Sequence, residues 1–175
     1  FETLKDIYFR DHSLEFLRQL PEGKLFAMFT YLWAPHPPLR VPEPYASMYP
    51  PEKLVLPDNI GITAEGEPPL RRKGVPAQLA EQVPKEEWRQ VWSAHLALTT
   101  MADDVLGMIL EELKKQGKYE NTCVVFTADH GDSLGQHQMY QKMEMYEESV
   151  KIPLVIRLPG AKTGKTAKLV SHLDL

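Results

Sequence analysis

Cys123 is the single cysteine of the 175-residue chain, so an internal disulfide framework is excluded. No apolar run approaches the roughly 20 residues needed to span a bilayer. Positive charge is not in excess: 20 Lys and Arg stand against 24 Asp and Glu, for a net charge of −4 and a pI near 5.9. Arg71-Arg72-Lys73 is the one basic cluster, and three charges suit a solvated loop better than a nucleic-acid track. Neither a nucleic-acid partner nor a membrane span is therefore expected. Internal repeats and low-complexity tracts are also missing. The chain starts at Phe1 with no basic and apolar leader, and it stops at Leu175 without a tail, so both ends look cut. What is there has the balance of a globular protein, 43% hydrophobic and 25% charged, in a chain long enough for one domain with a real core.

Three apolar runs have the length and branched or aromatic content of strands: residues 24–32, 122–128 and 152–158. Residues 84–117 carry a helical stripe of Val91, Ala94, Leu98, Met101, Val105, Ile109 and Leu113. Pro84 suits the first turn, Lys114 and Lys115 the last, and Gly117 the C-cap. Strand, helix and strand over residues 24–128 suggest a βαβ unit. The expected fold class is α/β, a mixed and mainly parallel sheet with helices on both faces. The second half of residues 3–20 has helical spacing, with Asp11 or Ser13 as N-cap. Residues 41–76 form a long Pro-rich loop, its aromatics packing near His36 and residues 60–73 its most mobile part. Cys123, inside a strand, is expected to be buried and inert.

The strand at 122–128 runs into Ala128-Asp129-His130-Gly131-Asp132, followed by His137 and Lys142. Asp129 offers a hard oxygen and His130 a nitrogen, and Gly131 permits the turn that would aim both at one divalent cation. Lys142 adds a cationic donor. His36 sits in Ala34-Pro35-His36-Pro37-Pro38, a stiff turn at a strand end. A metal, a lysine and a rigid histidine suit a tetrahedral oxyanion, with His36 as general acid and Lys142 neutralising the leaving side. From spacing alone a second reading stays open, in which Asp129 and His130 cap a turn and pair with Lys142. Two other candidates carry less: His12 suits a capping or surface role. Asp103-Asp104 suits one solvated and one hydrogen-bonded carboxylate.

TADHGDSLGQHQMYQK followed by YEESVKIPLVIRLPG resembles the signature of the sulfatase family, in the alkaline-phosphatase-like superfamily. FTYLWAPHPPLRVPEPYASMYPPE and DDVLGMILEELKKQGKYENT resemble the family too, in the same order, so that the likeness runs from Lys24 to Leu175. The resemblance implies that Asp129 and His130 ligate a divalent cation, usually calcium, with Mg²⁺, Mn²⁺ and Zn²⁺ as alternatives. It implies that Lys142 contacts the sulfate and leaving oxygen, that His36 faces the substrate, and that His137 lies beside or just behind the site. Asp132 is expected to cap the turn. The family's nucleophile is a formylglycine made from a Cys/Ser-x-Pro-x-Arg motif, which this sequence lacks, as it lacks the family's first metal-binding Asp pair. The chain is thus expected to be the C-terminal portion of a catalytic domain, residues 1–175, without its nucleophile-bearing N-terminal portion and inactive alone. The implied substrate is a sulfate-ester small molecule or glycan. The implied partners are the missing N-terminal part and, through an exposed sheet edge, another copy. The implied location is periplasmic, secreted or lysosomal. A phosphonate or phosphodiester hydrolase or phosphoryl transferase of the same superfamily, or a non-catalytic module, are the alternatives.

Overall fold

The structure is a computed structural model that describes residues 3–175. Its centre is helix α3, Trp88–Lys115, preceded by a 3₁₀ turn at Lys85–Glu87 that follows Pro84. The stripe expected from the sequence faces inward: Leu98, Met101, Val105, Ile109 and Leu113 are all buried. Each such side chain stabilises the fold by about 1.5–3 kcal/mol relative to exposure. Beyond Lys115, the Gly117 N–H donates to Lys114 O and the Lys118 N–H to Leu113 O, with Gly117 at a φ of 64°. Only glycine takes that left-handed closure of a helix without a steric cost. Asp103 and Asp104 are both exposed on α3, and Asp104 accepts a hydrogen bond from the Tyr45 hydroxyl.

Helix α1, Thr3–Gln19, packs against α3 through the fully buried Leu17. It is one continuous helix. Asp11 and Ser13 therefore lie inside it and cap nothing, contrary to the sequence expectation; Arg10 pairs with Asp11, and Ser13 Oγ is 2.9 Å from Thr30 Oγ1. His12 stacks on Tyr8 at the surface.

Residues 24–32 do not form the expected strand. They are extended, and burial alternates with a period of two: Phe26, Met28 and Leu32 pack on α1 and α3, while Leu25, Phe29 and Tyr31 are 91%, 78% and 72% exposed. Among the described residues, 25–32 make no backbone–backbone hydrogen bond. The side-chain pattern of a strand is present, but no strand lies alongside to complete a ladder. The expected βαβ unit is accordingly absent. The strand pairing formed is between β1, Val124–Thr127, and β2, Leu154–Arg157, and it is antiparallel, with Val124 opposite Arg157 and Thr127 opposite Leu154. Arg157 ties this pair to the end of α3: its guanidinium donates to Tyr119 O and Thr122 O and lies over the Tyr119 ring. Cys123 precedes β1 and is exposed, not buried, because nothing covers that flank of the two-stranded sheet.

The long loop is anchored throughout. Tyr49 meets Thr100 on α3, and Ser93 donates to Tyr49 O. A short helix α2, Val75–Glu81, contributes Ala80 to a second core with Ile60 and Trp88. Residues 60–73, expected to be mobile, are pinned by an ion pair between Arg72 and the almost fully buried Glu67 carboxylate and by an Ile60–Gln136 bridge. A four-residue helix α4, Glu147–Val150, leads towards β2. Among the described residues no helix is long and apolar enough to cross a membrane.

Candidate active site

His36 is delivered by a turn that Asp6 fixes from helix α1. The buried Asp6 carboxylate accepts from the N–H groups of Trp33 (2.5 Å) and Ala34 (3.3 Å). Burial pushes its pKa above the usual carboxylate range, against the opposing pull of those two hydrogen bonds. The His36 N–H closes back on Trp33 O, and the Trp33 indole, 4.7 Å from the His36 ring, is itself covered by the Lys5 ammonium. His36 Nδ1 lies 2.6 Å from Pro37 O. A carbonyl only accepts, so Nδ1 carries the proton and Nε2 is left as an acceptor. Lys142 Nζ donates to that Nε2 at 2.5 Å, across 106 residues of chain. The two side chains are thus joined by one short hydrogen bond with Lys142 Nζ as donor.

Lys142 reaches His36 from a tightly wound loop that begins at the end of β1. Asp132 Oδ1 accepts from the N–H of Leu134 and from that of Gln141, the residue before Lys142, so it is the cap the sequence suggested. The loop lies against the start of α3, where Trp92 Nε1 donates to Leu134 O. Gly135, at a φ of 91°, sits on the face of Trp88, where an added Cβ would come within 2.6 Å of the ring. Gly131 is tighter still: a Cβ there would lie 1.9 Å from Glu148 O.

Asp129 and His130 are neighbours at the end of β1. His130 Nδ1 donates to Gly131 O at 2.9 Å, which leaves the Nε2 lone pair 3.4 Å from Asp129 Oδ2. Two such donor atoms face each other favourably only around a proton or a metal cation. One oxygen and one nitrogen suit a divalent ion as two ligands of a larger set. Asp129 is 85% exposed, and among the described residues no third His, Cys, Asp or Glu joins the pair. Structural zinc takes four ligands and calcium six to eight, so two donors would supply only part of such a shell.

His137 belongs to a different cluster. Its Nε2 is 3.3 Å from both Asn59 Nδ2 and Glu148 Oε1, and its ring stacks on Tyr146 at 4.4 Å. Gln136 Nε2 donates to Asn59 Oδ1 and Glu148 Oε1. Sequence reasoning found His36, Lys142, Asp129 and His130, but not Asp6, Asn59, Arg72 or Glu148. Each makes at least one of its contacts far along the chain, from 27 residues for Asp6 to 89 between Asn59 and Glu148, and locally each looks like any solvated polar residue.

Known proteins resemble this chain over most of its length. The chain is similar, at 31% identity over 166 residues, to the multifunctional alkaline phosphatase superfamily protein PehA of Trinickia caryophylli; the match covers 87% of this chain and 32% of that protein. It is 31% identical over 164 residues to an arylsulfatase of Clostridium perfringens, covering 93% of this chain and 34% of that one. Among solved structures, it resembles the phosphonate monoester hydrolase of Silicibacter pomeroyi with a TM-score of 0.69 and 33% identity, covering 86% of this chain and 32% of the other. The chain spans about a third of the length of these relatives. The sulfatase family model matches residues 3–175, and the chain belongs to the sulfatase family.

Proposed function

We propose that this chain supplies the metal-binding and leaving-group side of a site that hydrolyses a sulfate ester. The observation that carries the reading is the Lys142–His36 contact, which joins the two residues best suited to the leaving oxygen. In this arrangement the Lys142 ammonium neutralises charge on the departing oxygen and is the proton donor nearest to it. His36 Nε2, kept in acceptor form by Pro37 O, accepts from the ammonium and orients it. Asp129 and His130 would hold the divalent cation, for which calcium is the leading candidate and Mg²⁺, Mn²⁺ and Zn²⁺ the alternatives. When bound, such an ion polarises the ester oxygens. His137, within its Asn59–Glu148–Tyr146 cluster, sits just behind the loop and shapes it. The attacking group and the remaining ligands come from a further portion of the same protein. Its strands pair with residues 25–33 and β1 to complete the mixed, mainly parallel sheet, and without it the isolated chain is inactive. The substrate is a sulfated small molecule or glycan; the arylsulfatase likeness supports the ester class. A compartment outside the cytoplasm, periplasmic, secreted or lysosomal, accords with the family resemblance.

A second reading has a specific support. The Silicibacter pomeroyi phosphonate monoester hydrolase is 33% identical to this chain, and a lysine beside a histidine serves a phosphonate oxyanion as well as a sulfate. Parallel kinetics of the full-length protein on 4-nitrophenyl sulfate and 4-nitrophenyl phenylphosphonate separate the two. Higher kcat/KM on the sulfate, abolished by a chelator and restored by a divalent cation, is expected. A preference for the phosphonate would transfer the proposal to the second reading, and chelator-insensitive turnover would remove Asp129 and His130 as ligands.

A further inference from the structure

The loop that carries Lys142 follows a path its residues do not favour. Leu134, His137, Gln138 and Gln141 are all left-handed, with φ of 47°, 53°, 51° and 71°, and none is glycine. Each costs of order 1 kcal/mol or more, so such a path persists only where its surroundings over-determine it. His137 and Gln138 are consecutive, and a single guanidinium holds both. Arg72 Nη2 donates to His137 O and Nη1 to Gln138 O, each at 3.1 Å, with Met139 Sδ 3.3 Å away. Arg72 is itself fixed: its Nε is 2.7 Å from Glu67 Oε1 and its Nη2 3.0 Å from Glu67 Oε2. Glu67 also accepts from the Tyr146 hydroxyl, and the Tyr146 ring stacks on His137. Burial alone would raise the Glu67 pKa, but the Arg72 and Tyr146 hydrogen bonds outweigh it and hold the carboxyl below its usual range. The Met139 side chain is fully buried beneath the clamp, and Lys142 follows three residues later. A planar guanidinium can serve two carbonyls and one carboxylate at once, which a lysine ammonium at the same place cannot.

We infer that Arg72, oriented by Glu67, is a positioning residue for Lys142: it holds the His137–Gln138 backbone in the left-handed course that brings Lys142 Nζ to His36 Nε2. This rests on the catalytic role proposed for Lys142, and the test keeps the two apart.

R72A, R72K and E67Q would be compared with K142A in the full-length protein, by sulfate-ester kinetics and by the ¹⁵N resonance of His36 Nε2. The expected result for R72A is a fall in kcat of about 10- to 100-fold with KM changed less than about 3-fold, as for a displaced reacting group. Its His36 resonance should move towards the position seen in K142A. R72K should restore little, and E67Q should fall between R72A and wild type. Wild-type kcat and an unmoved His36 resonance in R72A overturn the inference, as does a loss confined to KM. If R72A does not fold, the same two readouts in R72K and E67Q decide, and wild-type values in both overturn it. Unchanged turnover in K142A sinks the catalytic role of Lys142, and the His36 resonance then still decides whether Arg72 positions it.

Discussion

At the scale of single residues, a buried carboxylate sets the site. Asp6 has two backbone N–H partners, and burial raises its pKa. A raised folded-state pKa means the stabilising, protonated form is fully present below the unfolded value near 3.8 and is lost as pH rises through the folded value. D6N keeps an acceptor oxygen for Trp33 and Ala34 without the buried charge. It should therefore gain stability relative to wild type as pH rises from below 3.8 to neutral, measured by urea midpoints; a difference that does not grow with pH would contradict this. D6A leaves two amides unpaired and should cost about 1–3 kcal/mol, most at low pH where the wild-type carboxyl is protonated. His36 and Lys142 were visible from sequence because proline spacing and the Asp-His-Gly-Asp run mark unusual local chemistry. Asp6 was not, since an acid in a first helical turn is ordinary and its partners lie 27 residues away.

At the scale of elements, close approach explains the loop. The carbonyl of Glu148 passes where a Gly131 side chain would be, and Trp88 lies flat on Gly135. Backbone cannot give way as a side-chain tip can. G131A should accordingly destabilise by more than about 3 kcal/mol, whereas G135A, against a ring that can shift, should cost about 1–3 kcal/mol, mostly through its left-handed φ. Thermal unfolding would check the order, and G131A as mild as G135A would contradict the packing. Helix α3 is legible as one long element, expected over 84–117 and formed over Trp88–Lys115 after a 3₁₀ turn, because its periodicity and its C-terminal stop are local signals. Residues 24–32 show an apolar run of strand length, but neither its alternating burial nor its lack of pairing is legible there, since a ladder depends on a neighbour and not on the strand's own sequence. The anchoring of residues 60–73 was missed for the same reason: Arg72 in a basic triplet looks solvated until its partners at 137–139 are seen.

At the scale of the whole molecule, the site and the open sheet belong to one surface problem. Leu25, Phe29 and Tyr31 face outward on an extended segment with free backbone groups, and Val125, Phe126, Val155 and Ile156 are also exposed. An unpaired, apolar, extended segment is a template for a further strand. The isolated chain should self-associate, and L25K/F29K should make it monomeric by sedimentation without lowering its melting temperature by more than a few degrees. A wild-type chain that stays monomeric at high concentration would contradict this. The most direct test of the central claim is turnover of 4-nitrophenyl sulfate by the full-length protein, compared between wild type and K142A at equal thermal stability. A drop in kcat of about 100-fold or more is expected for a residue at the leaving oxygen. Unchanged kcat in a folded K142A would contradict the account.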